Sequence, residues 1–213
     1  GAIVSSFVEK PKGHIWISTY TGLVMYNSRK QTWTDITPKN QTITQLHDTG
    51  EDNTLYYSSW DNALYELTWS QQPEQARTIH LHNSNTPIYR IEGEANKLLI
   101  GTWGEGIKVY DKEQERIYPL PGTEHLGTTF INAIYKDSRG FMWFGTAAGL
   151  ARYDGYRFKI FRSTDNGSAS LPDNYIEKIV EDSEGRLWIR TGENGYVIYN
   201  WDTESFVCDV RSR

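Results

Sequence analysis

A large flat side chain recurs along this sequence at a nearly constant interval, and that interval restricts the fold more than any other feature. Trp143 sits in "GFMWFGT", Trp188 in "GRLWIRT" and Trp16 in "GHIWIST"; "NTLYYSS" puts Tyr56 at the same place and "NKLLIGT" puts Leu99 there. The anchors at 16, 56, 99, 143 and 188 are 40, 43, 44 and 45 residues apart, so five copies fill the chain from about Ile3 to Val210. Repeats of this period stack, each burying its apolar surface against the next.

Each copy has the same internal order. A first strand ("IVSSFVE", "TITQLHD", "PIYRIEG", "FINAIYKD", "YIEKIVED") runs into a tight turn. Gly13, Asn53, Asn96, Gly140 and Gly185, three residues before the anchors, are the residue types that accept a left-handed backbone. Asp137 and Asp182 can fold a carboxylate back onto turn N–H groups. A second strand carries the anchor and ends at Thr19, Ser59, Thr102, Thr146 or Thr191, and a second turn follows at Gly22, Asn62, Gly106, Gly149 and Gly195. Third and fourth strands complete the copy. Four short turn-linked strands per copy predict an all-β protein, a β-propeller of about five four-stranded antiparallel blades. Helical periodicity is absent over any 10-residue stretch. The blades are placed at about 3–39, 40–85, 86–127, 128–171 and 172–213, in one propeller domain or fragment. The anchors, Trp188 included, are expected to be buried between sheets.

The chain opens on a first strand and closes on a fourth, with no spare strand to complete a split blade. Either five blades close directly or they form an open arc, a partial ring whose exposed end sheets would invite self-association.

Composition removes several classes. An aromatic share of 14% supplies a core. A net charge of −5 argues against nucleic acid, which selects a basic face. Cys208 is the single cysteine, so no internal disulfide forms. No apolar run approaches the roughly 18 residues of a membrane span, so direct membrane contact is not expected.

Chemistry-bearing motifs are sparse. His80 and His82 alternate on a predicted strand and would share a face, but zinc needs further ligands, and no metal or cofactor is expected. Ser138 and Ser183 lie in turns with no histidine in register, and Cys208 has no histidine at a telling spacing. No catalytic residue is assigned.

Binding has a better candidate. The position after the repeated Thr or Ser reads Tyr20, Trp60, Trp103, Ala147 and Gly192, on turns that leave one face of a propeller. Aromatic rings beside acids and amides suit sugars, and Asp61, Asn62, Glu105, Glu193 and Asn194 are the polar neighbours. The ligand-binding candidates are therefore Tyr20, Trp60, Trp103, Glu105, Glu193 and Asn194; the competing reading is that these aromatics only cover the blade beneath. Two loops stand out, 162–174 and 67–79, the second with Trp69 expected to be exposed.

Copies four and five, "INAIYKDSRGFMWFGTAAGLARYDGYRF" and "IEKIVEDSEGRLWIRTGENGYVIYN", together with "GHIWISTYTGLVMYN" of copy one, resemble the two-component-regulator propeller repeat. Copies two and three follow it mainly by position. The resemblance implies the periplasmic sensor region of a hybrid two-component system of Bacteroides-type bacteria, which senses oligosaccharide and signals to an inner-membrane histidine kinase and a fused regulator. Such sensors usually carry two seven-bladed rings and an immunoglobulin-like domain. This sequence shows five repeats and no kinase motif, so it is read as a fragment or smaller relative, itself not an enzyme. The alternatives are a polysaccharide hydrolase or lyase, which needs converging acids or a Tyr–His pair, and a protein-binding or dimerisation scaffold, which needs an apolar side patch.

Overall fold

The computed structural model describes residues 3–38, 40–94, 96–163, 170–192 and 195–208. They form five four-stranded antiparallel sheets in which neighbouring strands are consecutive in sequence. Blade 1 is β1 (Val4–Glu9), β2 (His14–Thr19), β3 (Gly22–Asn27) and β4 (Thr32–Asp35). Blade 2 is β5 (Ile43–His47), β6 (Thr54–Ser59), β7 (Ala63–Thr68) and β8 (Arg77–Asn83). Blade 3 is β9 (Ile88–Glu94), β10 (Lys97–Thr102), β11 (Ile107–Asp111) and β12 (Arg116–Pro119). Blade 4 is β13 (Ile131–Lys136), β14 (Met142–Thr146), β15 (Gly149–Tyr153) and β16 (Phe158–Phe161). Blade 5 is β17 (Ile176–Glu181), β18 (Leu187–Thr191), β19 (Gly195–Asn200) and β20 (Ser205–Cys208). The described helix is confined to 3-10 turns at Pro73–Gln75 and Thr123–Leu126.

Four of the five first-turn residues, and Gly149 of a second turn, adopt the left-handed backbone their types suggest. Gly13, Asn53, Gly140 and Gly185 have φ of 89, 54, 90 and 75°, and Gly149 lies at 129°. A Cβ on Gly149 would also come within 2.5 Å of the Phe161 carbonyl oxygen, so sterics and backbone both require glycine there.

The chain divides into two compact units, Gly1–Ile100 with Val109–Ile117, and Gly101–Lys108 with Tyr118–Arg213. In the first, Trp16 is fully buried among Met25 of its own blade and Ile43, Leu46 and Leu55 of blade 2. Tyr56 is fully buried against Ile88, Ile91 and Leu98 of blade 3. In the second, Trp143 is fully buried among Ile176, Ile179, Val197 and Tyr199 of blade 5. The anchor face of one blade thus packs on the first-strand face of the next, removing apolar area from water at about 25 cal/mol per Å². Trp188 departs from expectation: its ring is only partly buried. Among the described residues no following sheet covers it as blade 2 covers Trp16.

A device absent from the sequence reading joins the innermost strands. The β1–β2, β5–β6, β13–β14 and β17–β18 ladders each shift register at one place, leaving Ser5, Thr44, Asn132 and Glu177 unpaired. A bulge re-aims its extra side chain. Ser5 Oγ donates to the Ile43 carbonyl at 2.8 Å, Thr44 Oγ1 to that of Ile88 at 2.8 Å, and Asn132 Nδ2 to that of Ile176 at 3.0 Å. Three of the four bulges therefore bind the next blade, while Glu177 pairs with Arg190 of its own blade at 2.9 Å. Gln45 adds to this, donating to the Ile91 carbonyl at 2.9 Å and accepting from the Ile91 N–H at 3.0 Å.

The Trp anchors are held at their polar ends too. Asp137 Oδ2 accepts the Trp143 indole N–H at 2.6 Å and Asp182 Oδ2 that of Trp188 at 2.7 Å, while the Trp16 indole donates to the Lys10 carbonyl. The Trp188 bond heads the causes that hold Asp182 well below the usual carboxylate range. In blade 2, Tyr56 replaces the pair, donating to Glu51 Oε2 at 2.9 Å and accepting from Lys112 Nζ at 2.7 Å.

Loop 67–79 is not the solvated loop expected. Trp69 is buried and stacks on Trp16, ring centroids 4.9 Å apart at 29°. The 3-10 turn behind it pins Glu74 to blade 1, where Glu74 Oε1 accepts from Lys30 Nζ and Asn27 Nδ2, each at 2.8 Å. The Lys30 bond, the backbone and Asn27 bring the Glu74 pKa from 4.5 down to about 2. A depressed folded-state pKa means the stabilisation is complete above 4.5 and lost as pH falls through about 2. A carboxyl NMR titration of Glu74 is expected to show a midpoint near 2, moved towards 4.5 by Lys30→Ala; an unmoved midpoint contradicts the pairing.

His80 and His82 do not form a ligand pair. The β7–β8 register shifts between the Leu64 and Tyr65 pairings, breaking the strict alternation. His80 packs edge-on to Tyr65 at 5.4 Å and bonds Asn83 Oδ1 at 2.9 Å. Among the described residues no group of three His, Cys, Asp or Glu could hold a metal ion.

Candidate functional site

The position after the repeated Thr or Ser is structurally equivalent in several blades. The N–H of Tyr20 bonds the Ile3 carbonyl at 3.1 Å, that of Trp60 bonds Thr42 at 2.8 Å, that of Ala147 bonds Phe130 at 3.3 Å and that of Gly192 bonds Tyr175 at 2.9 Å. Each main chain is thereby fixed against the residue entering its own first strand. The side chains are then free to differ.

In the first unit, Trp60 borders an open groove of about 570 Å³. Trp60 is 44% exposed and meets Tyr89 edge-on at 6.2 Å. Asp61, Tyr57, Tyr65, Gln41, Thr42 and Thr78 complete the functional lining. Tyr57 and Tyr65 are register partners on β6 and β7, and their rings stack 4.7 Å apart at 10°. Burial pushes both hydroxyls up; the Tyr57 hydroxyl bonds Thr78, and that of Tyr65 bonds Gln41 and Ser59. Both phenols therefore stay neutral at pH 7; Tyr65 is partly exposed and can donate to a ligand, while Tyr57 is 1% exposed and presents almost no surface. Among the described residues Asp61 is the only carboxylate in the lining, and it accepts from the Ser59 hydroxyl. No lining side chain among the described residues is cationic. The result is a half-apolar trough with an aromatic wall, two phenols, an amide and one acid. It can stack against the flat face of a neutral ring and exchange hydrogen bonds with its hydroxyls.

The other sequence candidates lie elsewhere. Tyr20 is 50% exposed in the same unit but does not line the groove. In the second unit Trp103 is half-buried and donates its indole N–H to Asn132 Oδ1 at 3.0 Å, its ring meeting Phe130 edge-on at 6.3 Å. Since Asn132 also bonds the Ile176 carbonyl, Trp103 belongs to the link between inner strands. Glu105 is paired with Lys108 Nζ at 2.7 Å. Glu193 and Asn194 lie outside the described residues. Tyr57, Tyr65, Gln41 and Thr78 were not singled out by sequence. A signal existed: Tyr57 and Tyr65 stand where blades 1, 4 and 5 place Ile17 and Val24, Phe144 and Ala151, and Ile189 and Val197.

A second cavity, about 440 Å³ in the other unit, is lined by Arg152, Lys159, Arg157, Asp154 and Glu204. Arg152 reaches Glu204 at 2.9 Å, Lys159 also bonds it, and Arg157 lies 3.4 Å from Asp154. Its charges are largely satisfied among themselves.

Five four-stranded sheets, with anchor face packed on first-strand face and bulged inner strands joining blades 1 to 2, 2 to 3 and 4 to 5, define a β-propeller repeat protein. Residues 125–148 and 170–193 match the family described as Two component regulator propeller. No curated protein matches the chain in sequence. Among solved structures, the extracellular domain assigned to the hybrid two component system BT3049 from B. thetaiotaomicron aligns with a TM-score of 0.72 at 20% identity, over 97% of this chain and 28% of that one. YCF48 bound to D1 peptide aligns with a TM-score of 0.67 at 11% identity, over 97% of this chain and 68% of that one. At these identities the likeness is one of fold, and the chain spans little more than a quarter of the length of the first. Among the described residues no helix is long and apolar enough to cross a membrane.

Proposed function

We propose that this chain is a ligand-recognition part of the periplasmic sensor region of a hybrid two-component system, and that it binds a neutral oligosaccharide in the groove beside Trp60. The observation that carries the reading is the composition of that groove: an exposed indole, two neutral phenols, Gln41, Thr42 and, among the described residues, one carboxylate and no cation. The family match and the fold shared with an extracellular domain of such a system support the sensor role. The kinase and inner-membrane anchor belong to the parent protein. Binding without turnover fits the lining, because one carboxylate supplies neither the acid–base pair nor the acid–nucleophile pair of glycoside hydrolysis. Tyr20, in the same unit, is a secondary contact for a longer ligand.

A panel of neutral oligosaccharides titrated into the chain by calorimetry is expected to yield a binder. Trp60→Ala is expected to weaken it about tenfold, the equivalent of ~1.4 kcal/mol of lost stacking. Its thermal midpoint should stay native, because the ring is 44% exposed. A panel in which nothing binds the native chain overturns the oligosaccharide reading.

A further inference from the structure

One inner-strand position changes its chemistry between the blades of the first unit. Ser6 Oγ of blade 1 accepts the Leu46 N–H at 2.8 Å, and Gln45 Oε1 of blade 2 accepts the Ile91 N–H at 3.0 Å. Arg90 holds the same position in blade 3, because Ile88 and Ile91 receive the links from blade 2 as Ile43 and Leu46 receive those from blade 1. A guanidinium has donors and no acceptor, so Arg90 cannot repeat that link.

Arg90 folds over its neighbour instead. Its Nη1 donates to the Tyr89 carbonyl at 2.8 Å, and its Cζ lies 4.1 Å from the centroid of the Tyr89 ring. Among the described residues Arg90 forms no ion pair, and the groups that act on its charge are the Tyr89 and Tyr20 hydroxyls. The residue is half-buried, and burial pulls its guanidinium below the usual arginine range, though it stays a cation at pH 7. A partly desolvated charge without a counter-charge costs free energy that a bound anion would return.

The surroundings are built for a ligand with a sugar-like or aromatic face. Tyr20 and Trp60 are exposed at the same turn position of blades 1 and 2. Thr42 ties these turns together: its hydroxyl donates to the Tyr20 carbonyl at 3.0 Å, and its carbonyl accepts the Trp60 N–H at 2.8 Å. Trp60 in turn meets Tyr89 edge-on at 6.2 Å. Rings from three consecutive blades of one unit thus come together at Tyr89 and Arg90.

We propose that Arg90 binds a carboxylate, its planar fork donating to both oxygens while the Tyr20 and Tyr89 hydroxyls stand beside them. Stacking on Tyr89 and the bond to its carbonyl already hold the guanidinium, so little rotamer freedom is lost on binding. Arg90 does not line the groove beside Trp60, and the inference does not rest on a neutral ligand binding there.

Calorimetric titration of the chain with glucuronate, acetate and glucose tests this. Glucuronate is expected to bind at least about tenfold more tightly than glucose, with the margin shrinking as salt is raised. Arg90→Gln should erase the margin. It should keep the native circular dichroism and thermal midpoint, because blade 2 carries Gln45 at the equivalent position. Arg90→Lys retains the charge without the fork and should keep only part of the margin. Acetate binding as tightly as glucuronate supports a site that reads the carboxylate alone; weaker acetate supports one that reads a carboxylate borne on a sugar. Glucuronate no tighter than glucose on the native chain, a margin that survives in folded Arg90→Gln, or an Arg90→Lys variant equal to native overturns the proposal.

Discussion

Trp143→Ala is expected to lower the unfolding free energy by about 3–5 kcal/mol, the range for truncating a buried large aromatic. The indole is fully buried, and its surroundings belong to two blades: Phe161 of its own sheet at 6.0 Å, Tyr199 of blade 5 at 4.9 Å and Trp201 at 5.9 Å. Removing it opens a cavity that rigid sheets close poorly, and it deprives Asp137 of the indole N–H at 2.6 Å. Urea unfolding followed by circular dichroism measures the loss. Trp188→Ala is the comparison, with the same repeat position but a partly exposed ring, and it should cost distinctly less. Equal losses would show that the anchor acts within its own sheet and not between sheets.

That contrast marks what a single sequence can and cannot disclose about a repeat fold. Period, turn residues and strand count are written locally, in spacings and in Gly and Asn at left-handed positions, and all five four-stranded sheets could be read from them. Burial is not local. "GFMWFGT" and "GRLWIRT" are nearly interchangeable as text, yet Trp143 is covered by Tyr199 and Trp188 is not, because the cover comes from another blade. Trp69 shows the reverse error: its polar neighbourhood suggested solvent, while its ring completes the stack on Trp16. The inner-strand links had a trace in sequence, a polar residue after the first-strand Val or Ile at Ser5, Thr44 and Asn132. Its meaning needed the bulge, which no residue type specifies.

The candidate site was legible by half. Trp60 and Asp61 stood out because the copies disagree at that turn, and both line the groove. Tyr57 and Tyr65 escaped because alternation alone does not show which strand residues border a groove. Trp103 matched Trp60 in sequence, yet its indole N–H is engaged by Asn132, a residue 29 positions away that spacing could not connect to it.

Asp137→Ala is expected to cost about 2–4 kcal/mol, a large effect for a residue that reads as a turn former. Its Oδ1 accepts the N–H groups of Arg139 at 3.0 Å and Phe141 at 2.9 Å, and its Oδ2 accepts the Trp143 indole. Asp137 is 4% exposed, so the indole N–H it leaves behind has little access to water. The turn itself should survive, since the Gly140 N–H still reaches the Asp137 carbonyl at 3.0 Å. Asp137→Asn separates the two roles. Its carbonyl oxygen can replace Oδ1 at the turn, but its NH₂ then faces the indole N–H, donor against donor. The Asn variant should therefore recover only the turn's share of the loss, and the Trp143 indole proton should exchange faster with solvent in both variants. An Asn variant as stable as native, with the indole proton still protected, would show that the carboxylate serves the turn alone and that packing, without the hydrogen bond, holds the anchor.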